Sequence, residues 1–90
     1  MAQDWNKDPD AVLDYAFDWQ YWLAGGETIT SSTMIASPGI SVDSSSNTTN
    51  RCTVWLSGGS AGQPYTITNR ITTNLGRTDD RTITIRVTNR

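Results

Sequence analysis

Apolar and polar residues alternate with a period of two along much of this chain, and that period marks half-buried strands rather than helices. Leu13, Tyr15, Phe17 and Trp19 share one face of a segment whose other face carries Asp14, Ala16 and Asp18. Within Arg51–Leu56, Cys52, Val54 and Leu56 point one way while Thr53 and Trp55 point the other. A strand opened by Pro64-Tyr65 runs to the turn Asn74-Leu75-Gly76, and Ile83–Val87 closes the pattern. Thr28–Ile35 reads as a strand interrupted at Ser31 and Ser32, which predicts a bulge. Ile40–Val42 reads as a short strand. Turn signals separate these segments: Gly25-Gly26, Ser37-Pro38-Gly39, the polar loop Asp43–Asn50, and the run Gly58, Gly59, Gly62. Gln20–Leu23 reads as a link with room for one short helical turn. Met1–Asp10, polar and punctuated by Pro9, reads as an extended N-terminal arm preceding one domain over residues 11–90.

Six to seven short strands, with turns about every ten residues, predict an all-β fold: an immunoglobulin-like antiparallel β-sandwich. Tyr65, three residues after Gly62, is expected to form a tyrosine corner, in which the hydroxyl bonds back to an upstream backbone group. Trp19 is assigned to the core. Composition agrees with this class. Thr, Ser, Asn and Gly are abundant while Leu, Lys and Glu are scarce, a balance that suits sheets and turns better than helices. Ninety residues allow one core between two sheets.

The chemistry the sequence offers is sparse. With one cysteine, Cys52, no internal disulfide can form, which fits folding in a reducing cytosol. Met1–Lys7 lacks the basic and apolar regions of a signal peptide, and no apolar run approaches the roughly 20 residues of a membrane helix. The chain has no histidine, so the commonest general base and the commonest metal ligand are missing. No zinc set surrounds Cys52, and its inward position suits an inert core thiol. Asp79-Asp80 lack the spacing of a calcium loop and read as turn residues. Asp14 and Asp18 would need a cleft to act as a glycosidase pair. Gly58–Gly62 lacks the Lys-Ser/Thr ending of a phosphate-binding loop. The expectation is a protein that is not an enzyme, with no cofactor and no metal.

Charge and aromatics say more. Residues 1–50 hold seven carboxylates against Lys7 alone, a balance of −6, and residues 51–90 hold six arginines against Asp79 and Asp80, a balance of +4. Two readings follow: the halves neutralise each other within the molecule, or one acidic and one basic side support head-to-tail assembly. Dispersed arginines beside an acidic half do not suit nucleic acid. Four tryptophans exceed the needs of so small a core. Trp5, Trp22 and Trp55 are therefore candidates for partner anchors or for a sugar-stacking platform, the latter making the chain a carbohydrate-binding or host-recognition module.

The ordered blocks K-D-P-D-A-V-L-D-Y-x-F-D-W (Lys7–Trp19), L-A-x-G-E-T-I (Leu23–Ile29), L-S-G-G-x-x-G-x-x-Y (Leu56–Tyr65), T-N-R-I-T-T-N-L-G-R (Thr68–Arg77) and R-T-I-T-I-R-V (Arg81–Val87) resemble the small structural proteins of tailed phages described as fibre–tail adaptors. The resemblance covers about residues 7–90, and its first block is the most discriminating. It implies a virion component of the neck or tail region, made in the bacterial host cytoplasm, that joins neck or tail to fibres by contact alone. Its partners would be other neck, tail and fibre proteins and further copies of itself, with no nucleic acid and no membrane. Partner contacts are expected from Trp5, Asp8, Tyr21, Trp22, Trp55, Arg70 and Arg77. The arm is expected to order on binding and carry Trp5 into a partner groove, while Arg70 and Arg77 meet carboxylates of a neighbour.

Overall fold

Period-two stretches become strands where their apolar faces meet across a gap between two sheets. The structure, a computed structural model, describes the backbone of Gln3–Lys7 and residues 12–87 in full. Seven strands form: β1 (Gln3–Lys7), β2 (Leu13–Asp18), β3 (Ile29–Ala36), β4 (Ile40–Asn47), β5 (Arg51–Gly58), β6 (Pro64–Thr73) and β7 (Thr78–Val87). One sheet has the order β1-β7-β6-β3 and the other β2-β5-β4. All pairs are antiparallel except β1 with β7, which run parallel. Apart from β1, this is the division of strands between the sheets of an immunoglobulin-type sandwich.

The alternation read from the sequence sets the core. Tyr15 and Phe17 of β2, Ile40 of β4, and Cys52, Val54 and Leu56 of β5 are buried against Ile29 of β3, Ile67 and Ile71 of β6, and Ile83, Ile85 and Val87 of β7. Full burial of one such aliphatic side chain contributes about 1.5–3 kcal/mol. Trp19, just beyond β2, is fully buried. Among the described residues the one buried side-chain amide is that of Asn69 on β6. Its Oδ1 accepts from Trp19 Nε1 at 2.9 Å, and its Nδ2 donates to Ser32 Oγ at 2.9 Å and the Thr33 carbonyl at 3.2 Å. An interior amide satisfied in this way ties β6 to β3 and to the end of β2 at little cost.

At one end of the sandwich, the link between β5 and β6 forms the tyrosine corner. The Ser60 amide donates to the Tyr65 hydroxyl at 2.8 Å. The ring lies against Gly39 and Gly59: a Cβ on Gly39 would come 2.7 Å from Tyr65 Cε1, and one on Gly59 would come 3.2 Å from Tyr65 Cε2. The predicted bulge in β3 lies between Ile29 and Ser31.

Three expectations are corrected. Asp43–Asn47 is not loop but the second half of β4, paired with Cys52–Trp55 of β5 and offset by a bulge between Val42 and Ser44. Its serines face water on an edge strand, so backbone pairing alone holds them and no apolar alternation announces the strand. Asp79 and Asp80 are not turn residues. They belong to β7, opposite Ile71 and Arg70. Gln3–Lys7, read as part of an extended arm, is paired along β7 from Ile83 to Val87.

Candidate functional site

The end of the sandwich opposite the tyrosine corner gathers the link between β2 and β3, the turn between β6 and β7, and the turn between β4 and β5. No helix forms in the first of these. The Trp22 and Leu23 amides donate to the Trp19 carbonyl at 2.9 and 3.1 Å, making one tight turn. The three segments are stitched together by backbone and side chain. Asn74 N donates to the Thr28 carbonyl at 3.0 Å, Thr28 N donates to Asn74 Oδ1 at 2.9 Å, and Ile29 N donates to the Thr49 carbonyl at 2.9 Å.

Glu27, the chain's single glutamate, is the hub of this end. Its side chain has no exposed surface. Oε2 accepts from Arg77 Nε at 2.8 Å and from Thr73 Oγ1 at 2.6 Å, and Oε1 accepts from the Ala24 amide at 2.9 Å and from Arg77 Nη2. Such a forked, charge-assisted pair is among the stronger polar contacts a protein makes. The Arg77 guanidinium also lies 4.0 Å from the Trp22 ring centroid. Trp22 in turn meets Trp19 edge-on, with centroids 5.4 Å apart and planes at 74°. Arg81 covers Trp19 at 4.1 Å, and its Nη1 donates to the Asp18 carbonyl at 2.5 Å. Arg81, Trp19, Trp22, Arg77 and Glu27 thus form one continuous line of contacts across this end.

The Arg77 hydrogen bonds, seconded by those from Thr73 and Ala24, outweigh burial and hold the Glu27 carboxyl down to about 2, from an ordinary 4.5. A carboxyl whose value is lower in the folded than the unfolded chain contributes stability that is full above about 4.5 and drains away as pH falls toward 2. Thermal melts between pH 7 and pH 2 are expected to show that decline. Glu27→Gln should lower Tm at pH 7 and flatten the profile below pH 5. An unchanged slope in Glu27→Gln would contradict the role given to this pair.

On this braced base stand two exposed side chains, Tyr21 at 90% and Leu75 at 61%. Of the residues picked from the sequence, Tyr21, Trp22 and Arg77 come together here. The others do not. Trp55 stands on the outer face of β5, 42% exposed. Arg70 lies on the outer face of the other sheet. Trp5 is on β1 opposite Ile85, with its side chain outside the described residues, as is all of Asp8. The two arginines expected to reach a neighbour's carboxylates reach carboxylates of their own chain. Arg70 forks onto Asp80 at 2.8 and 3.0 Å, and Arg77 binds Glu27. The pairing of the acidic and basic halves within the molecule is realised at Glu27–Arg77 and, more loosely, at Asp18–Arg51, 3.8 Å apart.

Leu75 carries a sequence signal of its own, as an apolar residue at a turn tip between Asn74 and Gly76. Glu27 and Asn69 carried none, since their partners lie far away in sequence. Cys52 is fully buried, and burial raises its thiol above the ordinary value. Among the described residues no group of three or more His, Cys, Asp or Glu side chains is placed to hold a metal ion.

No curated protein matches the chain. Residues 7–86 match the family described as podophage GP4 fiber-tail adaptor protein gp77, the kind of family the sequence blocks resemble. The match takes in β2 to β6, nearly all of β7, and both segments that carry Tyr21 and Leu75. This chain belongs to the podophage fibre–tail adaptor family.

Proposed function

We propose that this protein joins the phage tail to its fibres purely by protein–protein contact, without catalysis, and that it docks through the Tyr21–Leu75 end of the sandwich. The observation that carries this reading is an exposed tyrosine and an exposed leucine on segments tied together through Glu27, Arg77 and Asn74. Tyrosine is among the residues enriched at the energetic centres of protein interfaces. In immunoglobulin-type sandwiches the corresponding loops of this end serve recognition, and this analogy supports the reading without carrying it. A protein present in several copies on a particle needs only modest affinity at each contact.

Sugar recognition is less well supported. Stacking needs coplanar rings on one face, and here Trp22 is occupied by Arg77 and Trp19 while Trp55 stands on a different surface.

The double variant Tyr21→Ser/Leu75→Ser tests the docking end. Both side chains are exposed, so stability should stay within roughly 1 kcal/mol of the parent. Its incorporation into particles, measured by immunoblot of purified virions from a complemented infection, should fall at least tenfold. Normal incorporation of the folded variant would refute docking through this end.

A further inference from the structure

The three described tryptophan side chains beyond β1 are not treated alike. Trp19 is covered by Arg81 at 4.1 Å and Trp22 by Arg77 at 4.0 Å. Trp55 is covered by no cation among the described residues and is 42% exposed. Yet its surroundings are those that would hold one. Asp14 of β2 is directly opposite Trp55 across one ladder, and Ser44 of β4 is opposite across the other. Directly opposed residues share a face, with Cβ atoms about 4.5–5.5 Å apart. Asp43, beside Ser44 at the bulge, turns its carboxylate to the same face, where Oδ1 accepts from Ser57 Oγ at 2.7 Å.

The outer face of β2-β5-β4 therefore presents an aromatic ring on its central strand, with a carboxylate on each side. Asp14, Asp18 and Asp43 there face one arginine, Arg51, which is already beside Asp18. Neither Asp14 nor Asp43 has an ion pair among the described residues. A planar cation is the complement of this face: it stacks on an indole and forks onto a carboxylate at once. The molecule uses that combination itself where Arg77 lies between Trp22 and Glu27.

We propose that this face is a second docking surface, which takes an arginine-bearing segment of a partner protein, with the guanidinium stacked on Trp55 between Asp14 and Asp43. The surface is separate from the Tyr21–Leu75 end and does not depend on it.

The test is a titration of the full-length, ¹⁵N-labelled chain with the peptide acetyl-Thr-Arg-Thr-Arg-Thr-amide, followed at the Trp55 indole N–H and the Asp14 and Ser44 amides. Saturable shifts are expected, at least threefold weaker with lysine in place of arginine, absent with citrulline, and weakened by added salt. Trp55→Ala should abolish them and Asp14→Asn should reduce the affinity severalfold. Tyr21→Ser should leave them intact, which separates this proposal from docking through the loop end. Equal shifts with citrulline, an unmoved Trp55 indole, or shifts that depend on protein concentration without peptide would overturn the proposal, the last by giving the face to a second copy of the chain.

Discussion

Trp19→Ala is expected to remove about 3–5 kcal/mol of stability and leave much of the protein unfolded at 37 °C. A domain of this size holds only about 5–13 kcal/mol in total, and at about 4–8 °C per kcal/mol even the lower figure lowers Tm by about 12–24 °C. Three losses coincide at this residue. The indole is fully buried between the sheets, it is the surface on which Arg81 and Trp22 rest, and its N–H satisfies Asn69. Trp19→Phe separates the last loss from the others. The ring is largely kept, but the Asn69 oxygen is left buried without a donor, for about 1–3 kcal/mol. Made in an Asn69→Leu background, the same Trp19→Phe change should cost less, because no oxygen is then left without its donor. The loss of the Asn69 bonds to Ser32 and the Thr33 carbonyl is common to both Asn69→Leu proteins and cancels. Urea denaturation of the four proteins gives the cycle. If the two single changes simply add, the Trp19–Asn69 bond contributes little.

The second large effect is expected at the tyrosine corner. Gly59 has φ +91°, and a Cβ there would come 2.6 Å from Val87 Cγ2. Gly62 has a similar φ of +85° with nothing within 4 Å of its would-be Cβ. Alanine at either site incurs the same kind of backbone strain, about 1–2 kcal/mol. Alanine at Gly59 must also push Val87 and Tyr65 apart, for about 1–3 kcal/mol more. Gly59→Ala should therefore lose about 2–5 kcal/mol and Gly62→Ala only the smaller part. Equal losses in denaturant would show that conformation alone selects glycine here and that packing around Tyr65 does not.

How far the sequence could be read depended on whether burial left a trace in it. β2, β5 and β6 each put one face in the core and one toward water, so their alternation marked both the strands and the inward residues. Tyr65 was legible because a tyrosine corner is a local device, spanning only the five residues back to Ser60. The second half of β4 was not legible, because Ser44–Asn47 is exposed along an edge and is held by backbone hydrogen bonds that any residue but proline can make. β1 escaped for a similar reason: a polar stretch gives no sign that it will lie parallel to β7. At the candidate site the gap was one of distance. Tyr21 and Trp22 stood out as surplus aromatics, but nothing in the sequence pairs Glu27 with Arg77, fifty residues apart. An arginine free to meet a neighbour cannot be told by composition from one already engaged at home.

That engagement has a consequence for assembly. The Glu27 carboxylate takes hydrogen bonds from both the link after β2 and the turn before β7, so the two segments flanking Tyr21 and Leu75 hold a fixed separation before any partner arrives. Ordering a mobile side chain on binding costs about 0.5–1.5 kcal/mol. For the groups braced at this end, that entropy is already lost when the chain folds. Under the docking role proposed for this end, a surface set in advance would present the same shape in every copy of the protein.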